Sequence, residues 1–311
     1  MRMTRSPRPD GGAVGGRDFS PRVCSAIFAS RCVGFLPRQT YTKTLPASTA
    51  PSLPVVAGRA KMLREGDAMT EAEWLAAKHP AYMLAGLGPR PSQRKRRLYV
   101  CAACRRIWHL IPDGRSRAAV RVAEQFAEGL AEGIELGASR AEAKAVLQER
   151  KSQGAGEWAS RACYCAAMKK SGDAMKVWLP VLYAAQKQLP AVRPEEPGGW
   201  GRVARRRSAV DTELSSLAAL LRDVFGPLAF RRIAADPAWL AWKDSTVAKL
   251  AQAAYDNRSL PSGRLDPASL AVLADALEEA GCTNADVLGH LRGPGPHVRG
   301  CWAVDLLLGK E

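Results

Sequence analysis

The chain has 311 residues, 47% of them hydrophobic, with 46 Lys or Arg against 30 Asp or Glu and a formal net charge of +16. No apolar run approaches the ~18 uninterrupted residues of a membrane span, so membrane insertion is excluded as an expectation. The basic balance favours anionic partners such as nucleic acid or an acidic surface, but it says nothing about fold.

Composition breaks at Met69. Residues 1–68 hold seven Pro, seven Gly, eleven Lys or Arg and four acids, whereas all eight Trp and all four His lie beyond them. Without hydrophobic periodicity such a segment cannot offset its ordering entropy, and it reads as disordered. The run Val23 to Ser30 is too short, too late and too close to Arg31 to serve as the core of an export signal. Glu65-Gly66 before Ala68-Met69 fits a GAGGG-type, ribosome-binding-like stretch of coding sequence, so translation is expected to begin at Met69. Setting the segment aside leaves 35 basic and 26 acidic residues, a net of +9.

From Met69 the chain reads as capped, amphipathic helices. Thr70 and Glu73 form a capping box. Pro80 to Leu87 is a short helix starting at Pro and stopping at Gly88. Ser92 caps a helix to about Ile111, with Val100, Cys104, Ile107, Trp108 and Ile111 as its apolar stripe. Ser116 starts the next helix, and Ser139 with Glu142 caps another that reaches Lys151. After Gly154-Ala155-Gly156, helices are expected over Glu157 to Lys170 and Asp173 to Leu189, the latter kinked or broken at Pro180.

Residues 190–208, with Pro190, Pro194, Pro197, Gly198 and Gly199 followed by Arg202 and Arg205 to Arg207, read as a linker or long surface loop. Beyond it, helices are expected over Asp211 to Phe225, Ser245 to Asn257 capped by Asp244, Pro267 to Gly281, and Asn284 to Leu291. Gly293-Pro294-Gly295-Pro296 then turns the chain into an apolar final helix, Val298 to Leu308. No strand and no fixed-period repeat is apparent. The reading is an all-α protein of two helical bundles or one elongated helical array, with helical regions at 69–189 and 209–311.

Trp74-Leu75, the stretch Arg97-Leu98 to Leu110, Asp236 to Leu240, Leu273 to Cys282, and Gly293 to Trp302 carry a resemblance. Over residues 69–311 the chain resembles an uncharacterised family heavily duplicated in planctomycete bacteria. The resemblance implies a start at Met69 and a bacterial cytoplasmic setting. Because that family has no established activity, it implies no catalytic residues, and its duplication suits a binding or regulatory role.

Candidate chemistry must come from the residues. Cys101 and Cys104, three apart on a helix, share a face and are the candidate metal or redox pair. Cys163 and Cys165 point apart, His109 lies too far along, and the competing reading is cysteine as a small apolar packing residue. With no export signal, these thiols and Cys282 and Cys301 are expected to be reduced and cytoplasmic.

A second constellation gathers Cys282, His290, Arg292, His297, Arg299, Cys301 and Asp305 near the Gly-Pro-Gly-Pro turn. Two imidazoles, two thiols and a carboxylate suit a metal or acid/base chemistry, although no metalloenzyme or triad motif fits. Asp305, in an apolar helix, is expected to pair with Arg299 or an Arg from another helix.

The third candidate is anion or nucleic-acid contact through Arg94, Lys95, Arg96, Arg97, Arg105, Arg106, Arg205, Arg206 and Arg207. The first four sit at a helix N-terminus, where the dipole disfavours cations, so something other than local helix stability places them there. No cofactor is called for by any motif. A non-enzymatic interaction or regulatory module with an unidentified protein partner therefore leads, ahead of a nucleic-acid-associated regulator and a metal-dependent protein using the C-terminal turn.

Overall fold

The structure is a computed structural model that describes residues 69–310 apart from 88–90, 150–153, 171, 173–174 and 190–198. The expectations for residues 1–68 and for the Pro-rich stretch 190–198 lie outside the described residues. Among those described, the fold is all-α, and its only β pairing is two isolated bridges, Ser259 with Arg264 and Arg264 with Val298.

The chain opens with its capping box: the Glu73 amide donates to Thr70 Oγ1 at 3.2 Å, and the Thr70 amide donates to Glu73 Oε2 at 2.9 Å. This starts α1 (Glu71–Ala76), followed by α2 (Pro80–Leu87) and α3 (Gln93–Arg106), with Ser92 capping α3 as expected. Helix α3 is buried on nearly every side from Leu98 to Arg105, so it forms the axis of the first core rather than an amphipathic face on it. It ends at Arg106, and Trp108–Leu110 follow as a 3₁₀ turn instead of extending the stripe to Ile111.

Helix α4 (Gly114–Ala127) is capped by Asp113, whose Oδ1 accepts the Arg115 amide at 2.9 Å, and Ser116 is buried one turn in. Helix α5 (Gly133–Glu149) starts well before Ser139, whose hydroxyl donates to the Leu136 carbonyl and so does not cap. Helix α6 (Ala155–Ala166), a 3₁₀ turn and α7 (Trp178–Gln186) follow, with Pro180 in the first turn of α7, where it costs no hydrogen bond.

The largest departure from expectation is α8 (Gly199–Phe225), a continuous helix of 27 residues that takes in the arginine run. Arginine is a good helix former, and the breakers that signalled a loop all lie at or before Gly199. Leu217, Leu220, Leu221 and Val224 place the C-terminal half of α8 in the first core with α1 to α7. The seam between the two cores therefore falls after Phe225, not at 190–208.

The second core comprises α9 (Pro237–Asp256), α10 (Pro267–Glu279), α11 (Ala285–Leu291) and α12 (Trp302–Leu307). Asp244 does not cap a helix. It sits with Lys243 and Ser245 at positive φ in a break within α9. The last helix starts four residues later than expected because Val298 to Cys301 form a turn closed by the Cys301 amide on the Val298 carbonyl at 2.9 Å.

Two glycines let the layers meet. Gly226 (φ +51) ends α8 with the Trp302 ring where a Cβ would stand, and Gly300 (φ +94) lies against Leu98, whose Cδ1 would be 2.9 Å from a Cβ.

Candidate metal centre

The seam carries a group of donors that no single element supplies. Asp223 is on the last turn of α8, His290 on the last turn of α11, His297 in the loop beyond, and Cys301 immediately before α12. One ligand atom from each lies within 4.8 Å of the other three, the single such group of His, Cys, Asp and Glu among the described residues. A tetrahedral zinc shell with bonds of ~2.0–2.3 Å puts its donors roughly 3.3–3.8 Å apart, and the group approaches that spacing, with three pairs at 3.1–3.2 Å and the rest within 4.8 Å.

The geometry converges on a shared point. Asp223 Oδ1 lies 3.1 Å from both His290 Nε2 and His297 Nδ1, and His290 Nε2 is also 3.2 Å from Cys301 Sγ. One ring nitrogen thus faces a carboxylate oxygen and a sulfur at once, so three donor atoms from three segments sit around one point. The outer contacts hold the donors in place: His297 Nε2 meets the Gly293 carbonyl at 3.1 Å, and Asp223 Oδ2 accepts the Val298 amide at 2.8 Å. A histidine whose second nitrogen bonds a backbone carbonyl is the arrangement that fixes tautomer and ring angle in metal sites. The His290 and His297 rings meet edge to face, 4.9 Å apart, and Trp302 packs 5.1 Å from His290.

Asp223, His297 and Cys301 are buried, and His290 retains 20% side-chain exposure. Burial opposes ionisation of Asp223, but hydrogen bonds and charge from the two histidines hold its carboxyl below the usual value. Burial also works against a charged His297, yet the hydrogen bond and charge of Asp223 raise it. Burial and the Asp223 charge push the Cys301 thiol well up. A bound cation reverses that last effect, because a coordinating thiol is deprotonated by the metal's own charge.

The structure thus brings together His290, His297 and Cys301 of the second constellation and disperses the rest. Cys282 is buried in the second core. Arg292 pairs at the surface with Asp275, at 2.7 Å, and with Glu278. Arg299 lies over the Tyr255 ring and 3.8 Å from Asp256, so it is not the partner of Asp305. Asp305 instead meets Arg94 at 2.7 Å and Lys95 at 2.5 Å, an ion cluster completed by Tyr255 and Glu128. Asp223 was absent from the sequence candidates. Its one local signal is an acid in the last turn of a helix, where the dipole disfavours it.

The proposed anion contacts on α3 are committed inside the protein. Besides Arg94 and Lys95, Arg97 donates to the carbonyls of Ala166, Met168 and Lys169, Arg105 is held by Glu124 at 2.6 Å, and Arg106 pairs with Glu213 at 2.7 Å. Arg96 is half-buried. Buried carboxylates from distant elements explain why cations crowd this helix start, and they remove these side chains from the surface. Arg205 and Arg207 remain exposed on α8, with Arg206 half-buried between them.

Cys101 and Cys104 are buried in the first core with Cys163, where the Cys101 thiol faces the Val120 carbonyl at 3.8 Å. They pack as small apolar groups, and burial pushes both thiols well up. No protein-family model, curated protein or solved structure matches the chain, so its reading rests on this geometry.

Proposed function

We propose that the protein is a non-enzymatic helical module whose C-terminal layer is fastened to α8 by one structural divalent metal, zinc by the chemistry of its donors. The observation that carries this reading is the convergence of one ligand atom each from Asp223, His290, His297 and Cys301 within 4.8 Å of one another. A thiolate with two imidazoles disfavours magnesium and calcium, which take oxygen ligands, and suits zinc. Four protein donors fill the shell and leave no open position for a substrate, which separates a structural from a catalytic site. The metal would join the end of α8 to the hairpin between α11 and α12. A reducing cytoplasm fits this role because Cys301 must remain a thiol.

The resemblance to the planctomycete family and the expectation of a protein partner stand beside this reading as proposals. The test of the metal is elemental analysis of purified protein together with cobalt substitution. One equivalent of metal per chain is expected, with a tetrahedral cobalt spectrum whose thiolate charge-transfer band disappears in Cys301→Ser. Protein that purifies without metal and takes up neither zinc nor cobalt would sink the proposal.

A further inference from the structure

An open groove of about 1040 Å³ lies against α8, lined there by Ser208, Thr212 and Ser215 among others. Its lining also brings in Lys78 from the α1–α2 loop, Arg207 from α8 and Arg264 from the loop before α10. None of these three exposed side chains has a carboxylate partner among the described residues, in contrast to Arg106 in the same groove, which Glu213 neutralises. The one carboxylate on the lining, Asp211, leaves an excess of positive charge.

We infer that this groove holds the phosphate backbone of single-stranded nucleic acid against Lys78, Arg207 and Arg264. The space they line, about 1040 Å³, is far larger than one small anion, so the three cations suit a chain of phosphates. They line a depression, whereas reading a duplex requires a convex element that enters the major groove. A cationic groove that tracks the backbone is the general solution for single strands. One wall is Pro294 to Pro296, the loop between His290 and His297. In this respect the inference rests on the metal reading: the ion that fixes the two histidines also fixes that wall.

The test is a fluorescence-anisotropy titration of the full-length protein with fluorescein-labelled oligothymidylate over a range of salt, with metal content measured on the same samples. Combining Lys78→Gln, Arg207→Gln and Arg264→Gln removes three phosphate contacts. It should weaken binding roughly 100-fold at about 0.1 M salt and reduce the log–log salt slope by about 2. A control combining Arg121→Gln, Lys144→Gln and Lys249→Gln, at exposed positions outside the groove lining, should cost far less. Equal losses from the two triple variants overturn the inference, since they would mean diffuse charge attraction. So does competition by polyglutamate as effective as that by unlabelled oligonucleotide at equal charge, which would point to an acidic protein instead. Chelation should weaken binding by loosening the wall. A fully metal-loaded protein that does not bind the oligonucleotide overturns the groove and leaves the metal centre standing. Undiminished binding by protein shown to hold no metal overturns the link between them.

Discussion

Two buried polar clusters hold the two cores together, and they are neutralised in opposite ways. Around Asp305, the protein supplies both signs of charge: Arg94 and Lys95 face Asp305 and Glu128, with Lys310 reaching Glu128 at 3.1 Å. Around Asp223, the side chains gathered at the carboxylate are two imidazoles and a thiol, all of them metal donors, and no Lys or Arg hydrogen-bonds to it among the described residues. The first cluster is complete when the chain folds. The second satisfies its hydrogen bonds but holds, beside an ionised carboxylate, a thiol that becomes a thiolate under a cation, which is why one reads as a structural ion network and the other as a candidate metal centre.

Disruption of the protein-only cluster should have the largest effect. Asp305→Ala leaves buried Lys95 without its carboxylate and Arg94 with Glu128 alone, and losing one partner of a buried pair costs about 3–5 kcal/mol. Urea denaturation should show this loss while the metal content stays at one per chain. A simultaneous loss of metal would mean that the two clusters are one unit.

The metal centre should respond in the opposite sense. Zinc at about 100 times its dissociation constant stabilises a folded protein by ~2.7 kcal/mol through mass action. Wild-type protein should therefore melt at a higher temperature with zinc than after chelation, whereas His297→Ala should melt at the same temperature in both. An unchanged zinc response in His297→Ala would remove this residue from the centre.

Gly226→Ala tests the packing that the clusters share, because a Cβ there runs into the Trp302 ring beside His290. Overpacking of this kind costs about 1–3 kcal/mol, and both stability and metal affinity should fall. Stability lost without any change in affinity would show that Trp302 does not position His290.

Acid gives a smaller and graded effect. Burial opposes ionisation of Asp305, but the charges of Lys95 and Arg94 hold its carboxyl below the ordinary 3.8. The stability it contributes is fully present above that ordinary value and is lost as pH falls through the depressed one. Chemical denaturation down the acid limb should be steeper for wild type than for Asp305→Asn, and parallel curves would place the acid sensitivity elsewhere. Arg292→Ala should have the smallest effect, since its pairs with Asp275 and Glu278 are at the surface and screened by solvent. Its denaturation midpoint and metal content should match wild type.

Legibility followed distance along the chain. Caps at Thr70 and Ser92 are set by residues three positions apart, and the sequence places both, as it does the helix starts at Pro267 and, within one residue, Ala285. Ser116 and Ser139 fail as caps because Asp113 and Gly133 begin their helices a turn or more earlier. The arginine run of α8 misleads for a related reason: Pro and Gly signal a break, but the stretch after them is helix-compatible and buries its far end. At the site, His290, His297 and Cys301 lie within twelve residues of one another and stand out together. Asp223 lies 67 positions before His290 and looks like any helical acid.

By itself, the sequence determined the all-helical class, most helix ends and the gathering of His and Cys near the last turn, because caps, breakers and periodicity act over one or two turns. Only the tertiary structure decided which charges are internal, where the seam between the cores falls, and that α8 supplies the fourth donor. Those outcomes depend on which distant surfaces pack together, and burial then selects the partner of each ion and ligand.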